Sequence, residues 1–218
     1  MYPEGEFLLP IFPLPSLVFF PETRLPLHIF EPRYRQMAQD AINGEKRIGM
    51  VLLKPGWEMN YYGAPTIYGV GTLGEIEHVV ALPDGRFNIV LNGTVRFRII
   101  EAITDTPYRT ARVIAAPENA PAPMEAYAQR QWLTELSHRY LEGLPGQSEM
   151  PELRNVKLDA LANALIMSLD IPPEEKQELL EMNELAERTE RVGEELQKRI
   201  EGLQFLAPFR RNGDPNRN

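Results

Sequence analysis

The chain has 218 residues, of which 43% are hydrophobic and 25% are charged, and its formal net charge is −8. This length and composition are typical of one large or two small globular domains with buried cores. The absence of cysteine excludes disulfides, thiol nucleophiles, iron–sulfur clusters and cysteine-ligated zinc, and it fits a reducing, cytoplasmic compartment.

The acidic charge is concentrated in the second half of the chain. Residues 117–218 hold 19 of the 31 Asp and Glu side chains, and residues 1–116 show no basic excess. Because such a surface repels a phosphate backbone, the charge argues against double-stranded nucleic acid as a partner. The acidic residues Glu4 and Glu6 argue against a secretory signal, and no apolar run has the length of a membrane-spanning helix.

The first forty residues combine frequent prolines with large apolar side chains. Each proline removes a backbone donor, so this region is predicted to form only short extended segments, at Phe7–Phe12, Leu17–Phe20 and Leu25–Phe30. Pro32 can occupy the first turn of a helix, and Gly44 is placed to end that helix. The apolar stripe between them consists of Tyr34, Met37, Ala38, Ala41 and Ile42.

Residues 47–115 are predicted to form several short strands joined by tight turns. Apolar and polar residues alternate between residues 86 and 99, and turn signals occur at Pro83-Asp84-Gly85 and at Asn92-Gly93. The second signal is compatible with either a two-residue hairpin or a bulge. Many short strands with one helix favour a small barrel, and residues 1–116 are therefore predicted to be a β-barrel subdomain.

The sequence pattern changes at Pro117. Residues 117–123 are predicted to be a proline-rich linker, and residues 124–209 show amphipathic helical stripes that predict a helical bundle. The last helix is predicted from about Glu184 to Phe205, with pairs such as Glu184–Arg188 and Glu195–Arg199 on its solvent face. Residues 210–218 are predicted to be a flexible polar tail.

Four stretches of the chain resemble the amino-terminal, substrate-binding domain of Lon proteases. They are LPLHIFEPRYRQM (residues 25–37), YGVGTLGEI (68–76), DGRFNIVLNGTVRFRI (84–99) and LANALIMSLDIPPEEKQELLEMNELAER (161–188). The resemblance implies an α+β fold in which a six-stranded, PUA-like pseudo β-barrel with one amphipathic helix precedes a C-terminal helical bundle.

The resemblance implies a free-standing, non-catalytic module that binds unfolded segments, peptides or a protein partner in a groove between barrel and bundle. No phosphate-binding loop of the form G-x-x-x-x-G-K-[ST] is present, so neither an ATPase nor a cofactor is expected. The histidines His28, His78 and His138 lack metal-site spacing, and no serine has a nucleophile-elbow context. The alternative is RNA or small-ligand binding by the barrel, which rests on fold analogy.

Six residues are candidates for contact with a partner: Phe19, Phe20, Arg33, Trp57, Tyr61 and Tyr62. Side chains alternate along an extended strand, so one of the two phenylalanines is expected to be exposed or covered by the bundle. Exposed aromatics anchor protein partners, although the aromatic segment at residues 57–62 is equally compatible with packing beneath a long loop. Arg33 and the neighbouring Arg35 are expected to bind a partner or, as the favoured alternative, one of them is expected to form an ion pair across the mouth of the barrel.

Overall fold

The computed structural model describes residues 4–61, 63–103, 107–144, 153 and 155–211, with side chains through residue 205. The chain divides into two compact units: unit 1 comprises residues 1–118 and 166–183, and unit 2 comprises residues 119–165 and 184–218. The elements are β1 (Glu6–Leu14), β2 (Arg24–Ile29), α1 (Pro32–Asn43), β3 (Arg47–Leu52), a short 3-10 helix (Trp57–Asn60), β4 (Val70–Ala81), β5 (Phe87–Ile103), β6 (Arg109–Ala115), α2 (Pro123–Gly143), α3 (Leu158–Ser168), α4 (Pro173–Glu181) and α5 (Leu185–Arg211).

Unit 1 is built on a closed, mixed sheet, as the predicted six-stranded barrel requires. The strand order is β2-β5-β4-β3-β1-β6, and a further pairing of β5 with β6 closes the barrel. β1 and β3 are parallel, with Ile11 opposite Gly49, and the other pairings are antiparallel. The carboxyl ends of β1 and β3 therefore lie at the same end of the barrel, where β6 begins. We call this end the mouth.

β5 pairs with three neighbours, and a bulge at Thr94, directly after Asn92-Gly93, interrupts its pairing with β4. Gly74 pairs with Gly93, whereas the preceding Leu73 pairs with Val95, so one residue of β5 is left over. The turn signal in the sequence therefore marks a bulge in a continuous strand and not a hairpin. A Cβ atom at position 93 would collide with the carbonyl oxygen of Phe20, which explains the glycine.

The core of unit 1 has two parts. α1 begins at Pro32 and is followed by Gly44, as predicted, and its buried face packs against the sheet. The first cluster includes Phe19, Met37, Ala38, Ile48 and Leu91. The second cluster includes Leu9, Ile11, Leu73, Val95 and Phe97.

The predicted extended segment Leu17–Phe20 is not a strand, and neither phenylalanine is exposed. Phe19 is 1% exposed and Phe20 is 0% exposed. Strict alternation applies only to extended strands, and the backbone here is irregular. Its carbonyl oxygens at residues 19 and 20 accept hydrogen bonds from the hydroxyls of Thr72 (2.5 Å) and Thr23 (2.6 Å). Both rings are therefore buried residues of the core.

Residues 166–183, which the sequence pattern placed in the helical bundle, belong to unit 1. The side-chain amide of Gln177 donates to the carbonyl of Val70 at 3.0 Å. Arg96 of β5 donates to the carbonyls of Leu180 (2.8 Å) and Met182 (2.5 Å), where α4 ends. Arg96 is 2% exposed, although the period-two pattern placed it on the polar face of its strand. The reason is that a helix end leaves carbonyl groups without intrahelical partners, and this guanidinium satisfies them.

In unit 2, α2 packs along α5. The ring of Trp132 lies so close to Gly193 that a Cβ atom there would collide with it. Arg188 is fully buried, although it was predicted on the solvent face. It lies three residues after Leu185 and four before Val192, so helical spacing places it on the buried stripe.

Two further predictions concern the linker at residues 117–123 and the tail at residues 210–218. The proposed linker contains Asn119, whose side chain donates to Glu184 at 2.5 Å and whose carbonyl accepts from the amide of Leu185 at 3.1 Å. α5 continues to Arg211, and the remainder of the predicted tail lies outside the described residues. In the described part of the chain, no helix is both long enough and apolar enough to cross a membrane.

Candidate functional site

A pocket of about 410 Å³ opens at the mouth of the barrel in unit 1. The ends of β1 and β3, the first turn of α1, the loop after the 3-10 helix and the start of β6 converge there. We call this cavity the mouth pocket. It is lined by Pro13, Arg33, Tyr34, Leu53, Tyr61, Gly63, Ala64, Pro65, Pro107, Tyr108 and Arg109.

Arg33 is held between two tyrosine rings. Its guanidinium carbon lies 4.6 Å from the ring centroid of Tyr34 and 5.0 Å from that of Tyr61. It also forms an ion pair with Glu31, with Nη2 and Oε2 separated by 3.1 Å. Arg33 therefore forms an ion pair as expected, but with the nearby Glu31 and not with a residue across the mouth. The arrangement fixes a cation–π stack in one wall of the pocket.

Glu31 organises this wall from the residue that precedes α1. Its Oε1 accepts a hydrogen bond of 2.7 Å from the hydroxyl of Tyr61, while Oε2 accepts from Nε of Arg33 at 3.2 Å. Nη1 of Arg33 also donates to the carbonyl of Tyr61 at 3.4 Å. One carboxylate therefore orders both an aromatic ring and a guanidinium.

The tyrosine hydroxyls of this wall remain protonated at neutral pH. Burial raises the pKa of Tyr34 to about 12. The hydrogen bond to Glu31, followed by burial, raises the pKa of Tyr61. Both hydroxyls therefore stay protonated under physiological conditions, and the proton of Tyr61 is donated to Glu31.

The opposite wall is supplied by the start of β6. Nη1 of Arg109 donates to the carbonyl of Pro65 at 2.7 Å, and the hydroxyl of Tyr108 donates to Asp40 at 2.8 Å. Burial, and then the positive charge of Arg33, lower the pKa of Arg109. A second, partly desolvated guanidinium thus faces the same cavity.

The structure places five of the six predicted contact residues in three environments. Arg33 and Tyr61 line the mouth pocket. Trp57 is half-buried and contacts the Tyr61 ring edge-on, with centroids 5.6 Å apart, so it supports the pocket from behind. Tyr62 lies outside the described residues. The two phenylalanines at 19 and 20 are in the interior, where they do not offer a surface to a partner.

Sequence reasoning missed Tyr108 and Arg109 as site residues and assigned Tyr34 to the core alone. Tyr34 is indeed 6% exposed, but its ring edge also lines the pocket. Nothing in the local sequence distinguishes the start of β6. Only the antiparallel pairing that places Arg109 opposite Ile11 brings that strand end to the mouth.

A second depression lies on the outer face of the sheet, around β2 and β5. It includes His28 and His78, and Nδ1 of His28 is hydrogen-bonded to Oδ1 of Asn88 at 2.7 Å. The side chain of His28 is exposed. Among the residues that the structure describes, no group of three or more metal-ligating side chains is found.

Comparisons with known proteins give a consistent result. A family model described as the ATP-dependent protease La (LON) substrate-binding domain matches residues 8–198. The Lon protease of Anaeromyxobacter dehalogenans is 30% identical over 205 residues, which cover 91% of this chain and 24% of that protein. The same figures hold for Lon protease 2 of Myxococcus xanthus. The chain thus spans about a quarter of the length of these curated relatives.

Two solved structures share the fold. A Lon N-terminal domain protein from Xanthomonas campestris superposes with a TM-score of 0.61 at 23% identity, covering 85% of this chain and 96% of the other. The N-terminal domain of a Mycobacterium avium complex Lon protease superposes with a TM-score of 0.70 at 15% identity, covering 88% and 98%. At these identities the likeness establishes the architecture, which agrees with the predicted α+β class.

Proposed function

Because the chain belongs to the family of Lon substrate-binding domains, we propose that it binds unfolded segments of other proteins in the mouth pocket of unit 1. The observation that carries the proposal is a concave site of about 410 Å³ whose walls are mainly tyrosine, proline and small apolar residues. Sites of this size and composition accommodate one or two side chains of an extended segment. Folded proteins keep such side chains in their cores, so the pocket selects for unfolded chains.

The pocket is ordered before any ligand arrives. Glu31 fixes the hydroxyl of Tyr61 and the guanidinium of Arg33, and Arg33 in turn stacks on both tyrosine rings. A rigid aromatic wall loses little conformational entropy when it binds, which increases the net affinity that a given contact area can supply. The hydroxyl and guanidinium groups give direction to the bound backbone.

The proposed role is binding without a chemical step. The relatives are named as proteases, but the matched family model is that of the substrate-binding domain. We place the role in the cytoplasm, where the cysteine-free composition fits a reducing environment. The proposed ligands are protein segments, and no cofactor takes part.

Equilibrium binding to a permanently unfolded protein tests this proposal. The ligand is labelled α-lactalbumin that has been reduced and carboxamidomethylated, so that it cannot refold. Its affinity for the chain is compared with that of the native, disulfide-intact form. We expect the unfolded form to bind at least about tenfold more tightly. Tyr61→Ala should weaken this binding by about tenfold, because it removes an aromatic anchor of the pocket.

The control is Tyr127→Ala. Tyr127 is an exposed tyrosine of α2 in unit 2, so this variant makes the same chemical change outside the pocket and should bind like the wild type. Equal affinity for native and unfolded α-lactalbumin, or an unchanged affinity in Tyr61→Ala, would contradict the proposal.

A further inference from the structure

Two side chains of the mouth pocket, Arg109 and Tyr34, carry hydrogen-bond donors for which the described residues supply no carboxylate acceptor. A guanidinium has five N–H donors, and in the described chain the side chain of Arg109 makes one hydrogen bond, from Nη1 to the carbonyl of Pro65 at 2.7 Å. Tyr34 lines the same cavity, and its hydroxyl has no hydrogen-bond partner among the described residues. Arg33 differs, because its donors are used by Glu31 and by the carbonyl of Tyr61.

The charge of the pocket is positive, although the whole chain is acidic. Of the described residues that line it, Arg33 and Arg109 are cationic and none is a carboxylate. Glu31 neutralises the first guanidinium through the ion pair, whereas no carboxylate of the described lining compensates the second. Burial and the neighbouring guanidinium both lower the pKa of Arg109, as expected for a cation that is poorly solvated and faces another cation.

We propose that the mouth pocket binds a peptide carboxylate that lies next to an apolar or aromatic side chain. The inference rests on the proposed function and names the class of segment that the pocket takes. The planar fork of Arg109 donates to both oxygens of the carboxylate, and the Tyr34 hydroxyl donates to one of them. The adjacent apolar side chain packs on the ring of Tyr61 and on the prolines of the lining.

The carboxylate has two sources in a protein, which short peptides separate. The first pair of peptides is fluorescein-Gly-Ser-Gly-Ser-Leu-Phe with either a free C-terminal carboxylate or a C-terminal amide. The second pair is fluorescein-Gly-Ser-Phe-Asp-Gly-Ser-amide and its counterpart with Asn in place of Asp. We expect the carboxylate member of at least one pair to bind about tenfold more tightly in fluorescence anisotropy, because it makes charge-assisted hydrogen bonds.

Substitutions in the full chain identify the groups that bind the carboxylate. Arg109→Gln should abolish the preference for the carboxylate peptide and leave the affinity for the amide peptide within about twofold. Tyr34→Phe should reduce the preference to an intermediate value, since it deletes one neutral donor and keeps the ring. Arg98→Gln is the matched control: Arg98 is an exposed arginine of β5 outside the pocket, so this variant should retain the full preference.

Each result supports or overturns the inference. If carboxylate and amide peptides are indistinguishable on the wild-type protein while unfolded α-lactalbumin binds, the inference is wrong and the proposed function stands. If neither the peptides nor unfolded α-lactalbumin bind, the proposed function is also wrong. If single-stranded hexauridylate displaces the free-acid peptide with higher affinity than the peptide itself, the anion is a phosphate and the peptide carboxylate is excluded.

Discussion

Two arginines of β5, only two residues apart, have opposite roles. Arg96 is buried and donates to the carbonyls of Leu180 and Met182, whereas Arg98 is exposed. Both belong to the same alternating run, so the pattern alone cannot separate them. The difference comes from residues more than eighty positions away, at the end of α4.

This difference predicts a large and specific loss of stability. Arg96→Met should lower the free energy of unfolding by about 3 kcal/mol, because it leaves buried carbonyls without their charged donor. Arg98→Met removes the same group from an exposed site and should change it by less than about 0.5 kcal/mol. Urea denaturation followed by circular dichroism measures both values. Equal effects in the two variants would contradict the assigned role of Arg96.

Tyr34 predicts a loss of stability at alkaline pH. Burial raises its pKa from about 10 to about 12, so the folded state holds a proton that the unfolded state releases first. Tyr34 therefore makes its full contribution to the free energy of unfolding below pH 10, and this contribution is lost as the pH rises towards 12. Between about pH 9 and 11.5 the loss should be about 2 kcal/mol.

Urea denaturation of wild type and Tyr34→Phe at both pH values isolates this contribution. The variant has no hydroxyl to titrate, so its free energy of unfolding should fall by about 2 kcal/mol less than that of the wild type. An identical fall in both proteins would show that the Tyr34 hydroxyl does not cause the effect.

Close packing of α2 against α5 depends on the absence of a side chain at Gly193. Trp132 occupies the space that a Cβ atom of Gly193 would need, whereas a Cβ atom at Gly202 of the same helix meets nothing within 4 Å. Alanine is the better helix former at both positions by about 1 kcal/mol. At Gly193, packing therefore opposes the higher helix propensity of alanine, whereas at Gly202 it does not.

The two glycines provide a matched pair of variants. Gly202→Ala should stabilise the chain by about 0.5–1 kcal/mol. Gly193→Ala should instead destabilise it by about 1–3 kcal/mol, because the indole must move out of a filled space. Thermal unfolding gives the sign of each change, and tryptophan fluorescence reports the displacement of Trp132. Stabilisation by Gly193→Ala would contradict the packing described here.

Elements with a strong local signal were predictable, and elements fixed by distant contacts were not. Pro32, the apolar stripe and Gly44 located α1, and the glycine at 93 marked an irregularity in β5. The segment Leu17–Phe20 has the composition of a strand, but hydrogen bonds from Thr72 and Thr23 hold it in an irregular path. The positions of those threonines follow from the barrel and not from the segment itself.

At the scale of the whole molecule, the chain leaves unit 1 after residue 118 and returns to it for residues 166–183. Composition indicated the first boundary near Pro117. Residues 166–183 have the same helical spacing of apolar residues as the helices of unit 2, so the sequence did not indicate that this segment belongs to unit 1. The candidate site was likewise only partly predictable from the sequence. Arg33 and Tyr61 stand out in the sequence, whereas Arg109 becomes a site residue only because closure of the barrel brings the start of β6 to the mouth.

Backbone amide chemical shifts, measured as unfolded α-lactalbumin is added to the isotopically labelled protein, test the central claim most directly. We predict that the largest shifts fall at the mouth: in the first turn of α1, at residues 61, 63 and 64, and at Tyr108 and Arg109. Tyr61→Ala should reduce these shifts at equal ligand concentration. Shifts confined to the helices of unit 2 or to the outer face around His28, with the mouth unchanged, would show that the mouth pocket does not bind the unfolded segment.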